Sequence, residues 1–140
     1  MQLGELLSSL LVNLQTLIKQ EVNLDKASFP KIIALSIIPP DGIEMSALAK
    51  RMGIDNSTAT RLVIGMEGVG WVNRQSRLYD KRVAQVLLTE KGHALQDDLG
   101  TQFELIGKVV EESLKPSEKL SISDSLSSLN WVLLKLISNK

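Results

Sequence analysis

Three long segments with apolar residues at helical spacing occupy the two ends of this sequence. Apolar side chains recur in each at steps of three and four, which places them on one face of an α-helix. The first predicted helix runs from about residue 3 to about residue 22, the second ends before Pro116, and the third runs nearly to the carboxyl terminus. Their apolar positions are Leu3, Leu6, Leu7, Leu10, Leu11, Leu14, Leu17 and Ile18, then Leu95, Leu99, Phe103, Ile106, Val110 and Leu114, then Ile122, Leu126, Leu129, Leu133 and Leu136.

These apolar stripes exceed what one small module between them can cover, and a partner chain is the natural cover. The alternative is that the terminal helices pack on the middle of their own chain, and periodicity does not separate the two arrangements. We predict one 140-residue chain with a helical dimerisation region over 1–24 and 93–140. A separate DNA-binding module is expected over 28–92.

The residue inventory argues against several classes of function. The sequence has no cysteine and a single histidine, His93, which leaves no disulfide, no thiol chemistry and no multi-histidine metal site within one chain. Its motifs bring together no nucleophile, base and orienting group, so we expect no enzyme, no cofactor and no metal. The apolar run 32–38 is far too short to cross a bilayer, and the first residues lack a secretory signal. A cytoplasmic protein without a membrane partner is expected.

The charge is unevenly distributed along the chain. The formal net charge is zero, yet residues 46–92 carry eight Lys and Arg against four Asp and Glu, a local net charge of +4. A basic middle between acidic flanks fits contact with phosphates, although ordinary scatter of surface charge explains it almost as well.

The segment from Met45 to Met66 predicts two short helices joined by a tight turn. Gly53 stands where a left-handed residue would end the first helix, and residues 55–57 offer side-chain caps for the second. Short polar side chains near the start of the second helix suit a helix-turn-helix that reads the major groove. A plain helical hairpin with a solvated face is the alternative. The outward face comprises Asn56, Ser57, Thr58, Thr60, Arg61 and Ile64, and the inward face Ala59, Leu62, Val63 and Met66.

A β-hairpin is predicted directly after this unit. Gly68 and Gly70 end the second helix, and residues 71–74 and 83–88 form two arms with β-branched side chains. The polar loop predicted between them places cations at the hairpin tip, within reach of phosphates or of the minor groove. A solvated, charge-rich turn is the alternative. The loop residues are Arg74, Gln75, Ser76, Arg77, Tyr79, Asp80, Lys81 and Arg82.

Residues from about Phe29 through Leu95 resemble the MarR family of winged helix-turn-helix regulators. The most specific element is the spacing of Asp80-x-Arg82 to Leu88-Thr89-x-x-Gly92. Further matching runs are Leu48-Ala49-Lys50-Arg51-Met52-Gly53, Ser57-Thr58-Ala59-Thr60-Arg61-Leu62-Val63 and Met66-Glu67-x-x-Gly70-Trp71-Val72-x-Arg74.

The resemblance implies a fold, a function and partners. The expected fold is mainly α with a small β-wing: a winged helix-turn-helix module flanked by long dimerisation helices. The expected function is a transcriptional repressor that binds double-stranded DNA at a near-palindromic operator as a homodimer. A small aromatic effector bound between helical arms and module would release it. No ligand residue is predicted, and Phe29 and Phe103 are expected to be packing residues.

The resemblance also assigns roles within the wing and the following helix. Arg82 would enter the minor groove, Asp80 would orient it, and Thr89 would cap the next helix. The full set of predicted DNA-binding residues is Asn56, Ser57, Thr58, Thr60, Arg61, Arg74, Arg77, Asp80, Lys81 and Arg82.

One departure from the family pattern favours a different function. Ile64 and Gly65 stand where relatives often carry charged residues, which predicts a less basic and looser reading helix. Together with the near-neutral charge, they favour a protein-interaction module, an antirepressor or heterodimer partner, that has lost operator binding. The retained Arg61, Asp80 and Arg82 count against that alternative.

Overall fold

The computed structural model describes residues 1–77 and 80–140; Leu78, Tyr79 and the side chains of Arg77 and Lys81 lie outside the described part. The described chain divides into two compact units, Met1–Phe103 and Glu104–Lys140. Its helices and strands are α1 Leu3–Glu21, α2 Phe29–Ile37, β1 Ile43–Glu44, α3 Met45–Met52, α4 Asn56–Gly68, β2 Val72–Arg77, β3 Asp80–Leu88, α5 Glu90–Ser113 and α6 Pro116–Ser138.

The three long helices predicted from periodicity are confirmed as α1, α5 and α6. Helix α5 ends at Ser113, and Pro116 begins α6 at a first-turn position, where the missing N–H costs no hydrogen bond. No residue of α1 or α6, both fully described, is buried within the chain. Over the residues that the structure describes, no helix is both long and apolar enough to span a membrane.

One apolar core holds the helices of the first unit against the sheet. Leu35 of α2, Leu48 of α3, Val63 of α4 and Val86 of β3 are fully buried, as is Trp71 just before β2. Burial of such side chains contributes about 1.5–3 kcal/mol each, which makes this core the main support of the short helices.

The sheet of the described chain has the order β1-β3-β2 and is antiparallel throughout. The hairpin prediction is confirmed, but β1 was missed: this two-residue strand pairs Ile43 with Val86. A strand this short has no alternation that a sequence pattern can show.

The predicted length of the hairpin loop was wrong. Strand β2 continues to Arg77 and β3 begins at Asp80, so most residues assigned to the loop are paired in strands, including Arg74 opposite Val86. Where both faces of a two-stranded hairpin are exposed to water, polar side chains do not disturb the hydrogen bonds between the strands. The polarity of this segment was therefore not evidence for a loop.

The start of α5 is fitted closely to the turn before β2. The Thr89 hydroxyl accepts the N–H of Gly92 at 3.0 Å, which confirms Thr89 as the cap of α5. The Thr89 hydroxyl also donates to the carbonyl oxygen of Gly70. A Cβ atom at position 92 would overlap the carbonyl oxygen of Trp71, so only glycine fits there. The module and the long helix are therefore joined through backbone contact.

Candidate nucleic-acid interface

Helices α3 and α4 form the predicted helix-turn-helix, and glycine makes its turn. Gly53 has φ of +69°, in the left-handed region, and the N–H of Ile54 donates to the carbonyl oxygen of Ala49 at 3.0 Å. Ala49 and Ala59 are both buried, and such small side chains allow a close approach of the two helices. The turn therefore fixes how α4 is presented.

Asp55 caps the start of α4. Its Oδ1 accepts the N–H of Thr58 at 2.7 Å and the hydroxyl of Ser57 at 2.9 Å. The hydrogen bonds from Thr58 and Ser57 lower the pKa of Asp55 to about 2. The carboxylate is thus charged at neutral pH and holds the first turn of α4 in place.

The exposed face of α4 carries the side chains that the sequence predicted. Asn56, Ser57, Arg61 and Ile64 are exposed, and Thr58 and Thr60 are half-buried. The Thr60 hydroxyl donates to the carbonyl oxygen of Asn56 at 2.8 Å, and Nη2 of Arg61 lies 3.5 Å from the Thr58 hydroxyl. These contacts lie within the helix, so the face remains open to solvent.

The wing places Arg82 beside Asp80. Oδ1 of Asp80 accepts both the backbone N–H of Arg82 at 3.0 Å and its Nε–H at 3.2 Å. These bonds lower the pKa of Asp80, the bond from the Arg82 side chain being the main cause. The Arg82 side chain is 92% exposed and that of Asp80 is 39% exposed. The guanidinium is therefore tethered at one end while most of it faces solvent.

Arg74 lies at the base of the hairpin instead of its tip. Its Nε and Nη2 donate to Oε1 of Glu67 at 3.2 and 3.0 Å, and its backbone N–H donates to Oε2 at 3.3 Å. The bond from the Arg74 side chain is the main cause of the lowered pKa of Glu67. This pair joins the end of α4 to β2, which sets Arg74 apart from the other candidates.

Helix α4 and the wing meet at one groove, which we call the α4–wing groove. It has a volume of about 300 Å³ and is lined by Asn56 and Thr60 of α4 and by Arg82 of β3. The start of α3 completes it, and this contribution could not be predicted from the sequence because it depends on how the fold brings α3 beside the wing. The remaining lining residues are Glu44, Met45, Ser46, Val83 and Ala84.

The described residues offer no evident metal site. Within the described ranges, no three His, Asp or Glu side chains are grouped as metal ligands would be. His93 is exposed on α5. Arg77 and Lys81 were predicted to contact DNA, and their side chains lie outside the described residues.

The comparisons with known proteins agree with this geometry. The MarR family model matches residues 40–84, which include α3, α4, β2 and the start of β3. The transcriptional repressor MprA of Escherichia coli (strain K12) is 31% identical over 86 residues, 61% of this chain and 48% of that protein. The HTH-type transcriptional regulator YfiV of Bacillus subtilis (strain 168) is 31% identical over 107 residues, 76% of this chain and 67% of that protein.

A solved structure supports the fold over nearly the whole chain. A MarR transcriptional regulator from Methanosarcina mazei Go1 matches with a TM-score of 0.80 and 25% identity, covering 95% of this chain and 96% of that one. The matched part of this chain spans about half the length of MprA and two thirds of YfiV. The chain belongs to the MarR family, as shown by the family model, the relatives and the shared winged helix fold.

Proposed function

We propose that this protein is a sequence-specific DNA-binding transcriptional regulator that acts as a homodimer on a near-palindromic operator. The observation that carries the proposal is the α4–wing groove, where polar side chains of α4 and the tethered Arg82 share one surface. MprA is named a transcriptional repressor, and we propose repression for this chain as well. A small aromatic ligand would release the protein from DNA by binding more tightly to the arrangement of the two wings that does not fit the operator.

Helix α4 is suited to the major groove by its side chains and its exposed face. Asn56 and Ser57 lie in its first turn and Arg61 one turn later, and all three are exposed. Amide, hydroxyl and guanidinium groups pair with base edges in the major groove, where each base pair presents a distinct pattern. These residues would read the sequence, with Thr58 and Thr60 beside them.

The wing would contribute through a directed arginine. Fixing a guanidinium before docking reduces the conformational entropy lost on binding, and a neighbouring carboxylate can fix it. Asp80 does so from the same strand, and Arg82 would enter the minor groove beside α4. Arg77 and Lys81, next in sequence, would add phosphate contacts.

A homodimer would supply the second reading helix and cover the apolar helices. In α1, Leu11 is 65% exposed, and in α6, Trp131 is 60% exposed. A soluble chain rarely leaves such surfaces open, and a second copy offers a matching apolar surface. Two-fold symmetry would then place the half-sites about one helical turn apart.

One observation favours a second candidate function, a protein-interaction module. Ile64 lies on the reading face of α4 and is 47% exposed, and an exposed apolar residue there also suits contact with another protein. Such a module would have no use for a tethered arginine in the wing. The two candidates therefore differ in what happens when the wing is altered.

The deciding experiment compares Asp80→Ala, Arg82→Ala and the unaltered protein on a fragment upstream of the protein's own gene that contains an inverted repeat. We expect Arg82→Ala to weaken binding and to make the slope of log affinity against log salt shallower by about one if it neutralises one phosphate. We expect Asp80→Ala to weaken binding too, because Arg82 loses its tether. Removal of a negative charge alone would instead strengthen binding to DNA.

The sign of the Asp80→Ala effect separates orientation from bulk charge. Glu111→Ala on α5 removes one negative charge far along the sequence from the wing and is the matched control. Tighter binding by Asp80→Ala, with an unchanged melting temperature, would exclude the orienting role. Absence of any operator preference in the unaltered protein would favour the protein-interaction module.

A further inference from the structure

Ile64 is an exposed apolar residue on the outward face of α4. Its side chain is 47% exposed, whereas the neighbouring Val63 is fully buried in the core. Ile64 follows Thr60 by four residues and Arg61 by three, and residues at these spacings adjoin on a helix surface. Thr60 also lines the α4–wing groove. Ile64 therefore continues the surface that we propose for DNA contact.

Glycines flank Ile64 on the helix surface. Gly65 follows it directly, and Gly68 lies one turn further along α4. A Cβ atom at Gly68 would meet nothing within 4 Å, so this turn borders open space. At Gly65, the atom nearest to such a Cβ is Cε of Lys31, at 3.1 Å. Glycine at both positions leaves the Ile64 side chain standing out and allows another molecule to approach the backbone closely.

Ile64 lies further along α4 than the exposed polar residues of the proposed reading face. Asn56 and Ser57 are in the first turn, and Arg61 is in the second. An α-helix rises about 1.5 Å per residue, which places Ile64 about 10 Å along the axis from Ser57. Base pairs are spaced about 3.4 Å apart. In the major groove, Ile64 and Ser57 would therefore meet different base pairs.

The chemistry of the isoleucine side chain limits what it can recognise there. Base edges in the major groove present hydrogen-bond donors and acceptors and one apolar group, the C5 methyl of thymine. Isoleucine has no side-chain donor or acceptor, so a polar base edge against it would lose water without gaining a hydrogen bond. The thymine methyl group loses nothing in the same position. An apolar residue on this face therefore favours thymine over the other bases.

We propose that Ile64 is a specificity-determining residue that contacts the C5 methyl group of a thymine in each operator half-site. The inference rests on the proposed function, because it needs α4 in the major groove. It gives a role to a residue at which α4 departs from the family pattern. A charged side chain at this position would add affinity for any sequence, whereas Ile64 distinguishes one base from the others.

The first measurement is selection of binding sites from a pool of random DNA duplexes. We expect the unaltered protein to select thymine at one position of each half-site. We expect Ile64→Ala to lose that preference and to keep the preferences at the other positions. Its melting temperature should not fall, because the side chain is exposed and alanine favours a helix more than isoleucine does.

The second measurement replaces the selected thymine by deoxyuridine, which keeps the O4 acceptor and lacks the methyl group. For the unaltered protein we expect a loss of affinity of about threefold to fourfold per half-site, the effect of one methyl group no longer buried. Replacement in both half-sites should cost about tenfold. For Ile64→Ala we expect the same replacement to cost about twofold at most, because the contact is already absent.

Val69→Ala is the matched control. Val69 is 44% exposed, close to the value for Ile64, but it lies just after the end of α4. This variant should lose as much affinity on deoxyuridine substitution as the unaltered protein does. An equal loss in the unaltered protein and in Ile64→Ala would overturn the inference. Selection of the same thymine by both proteins would overturn it as well.

Two further outcomes separate this inference from the proposed function. Sequence-selective binding without any coupling between Ile64 and a thymine methyl group would overturn the inference and leave the proposed function standing. Selection of no preferred sequence by the unaltered protein would overturn the proposed function and, with it, this role of Ile64. The exposed isoleucine would then favour the protein-interaction module.

Discussion

At the scale of single residues, two arginine–carboxylate pairs in the winged module differ in whether they connect two elements of the fold. Arg74 and Glu67 are both partly covered and connect two elements, α4 and β2. Arg82 and Asp80 lie two residues apart on one strand, with the arginine almost fully exposed. Exposed ion pairs add little to stability. We therefore expect Asp80 to act on the direction of Arg82, which matters only if that side chain contacts something outside the chain.

The lack of space for a side chain at Gly92, beside the carbonyl oxygen of Trp71, gives a prediction. Gly92→Ala should lower the free energy of unfolding, because the new methyl group overlaps the carbonyl oxygen of Trp71. Overpacking of this kind costs about 1–3 kcal/mol or more, which outweighs the gain of up to about 1 kcal/mol from replacing a helical glycine. Urea unfolding followed by circular dichroism measures the difference.

Gly100→Ala, in the same helix, is the matched control. A Cβ atom there meets nothing within 4 Å, so this variant should gain about 0.5–1 kcal/mol from helix propensity alone. Equal stabilisation by both substitutions would show that the start of α5 is not held against the turn before β2.

Residues whose role depends on local chemistry were predictable from the sequence, and residues whose role depends on distant contacts were not. Gly53 was predicted from local chemistry, since a helix end that needs a positive φ favours glycine. Gly92 was recognised only through a family motif, because its constraint comes from Trp71, a contact distant in sequence. Arg74 was misplaced for the same reason: its position depends on pairing with Glu67 and with strand β3.

At the scale of elements, helices were predicted better than strands because their signals are local. The periodic spacing of apolar residues gave α1, α5 and α6, and cap signals gave the ends of α3 and α4. The extent of β2 and β3 and the existence of β1 depend on backbone pairing between distant residues. The α4–wing groove combines both kinds of element, and its α3 contribution could not be foreseen without the fold.

The cap of α4 gives a prediction about pH. The pKa of Asp55 is lowered to about 2 from 3.8, so its stabilising contribution is present above about pH 4 and is lost as the pH falls towards about 2. Asn caps helices about as well as Asp but does not titrate. We expect the stability of the unaltered protein relative to Asp55→Asn to fall across this window.

Urea unfolding of the two proteins at several pH values measures that difference. Glu67 and Asp80 also have lowered pKa values, but they are present in both proteins and largely cancel. Direct NMR titration of the Asp55 carboxyl group provides the independent reading. Titration near its ordinary pKa would show that the cap to Thr58 does not hold in solution.

At the scale of the whole molecule, apolar exposure is concentrated on the helices outside the winged module. The core of that module is closed by α2, α3, α4 and the sheet, whereas α1 and α6, each described in full, contain no buried residue. In α6 alone, Leu120 is 82% exposed and Leu126 is 51% exposed. Single exposed apolar side chains scattered over a protein surface are ordinary, whereas an exposed apolar face along a whole helix is not. We therefore expect these faces of α1 and α6 to contact a second chain.

The final prediction concerns the oligomeric state. We expect a homodimer at micromolar concentration by sedimentation velocity, and we expect the double substitution Leu126→Lys and Leu133→Lys to weaken it, because two charges would be buried in an apolar interface. Ile64→Lys also replaces an exposed apolar residue, but on α4, and should leave the dimer intact. A monomer with full helical content in the unaltered protein would contradict the dimer and remove the geometric basis for two half-sites. Dissociation caused by Ile64→Lys would instead place α4 in the interface between copies and make it unavailable to DNA.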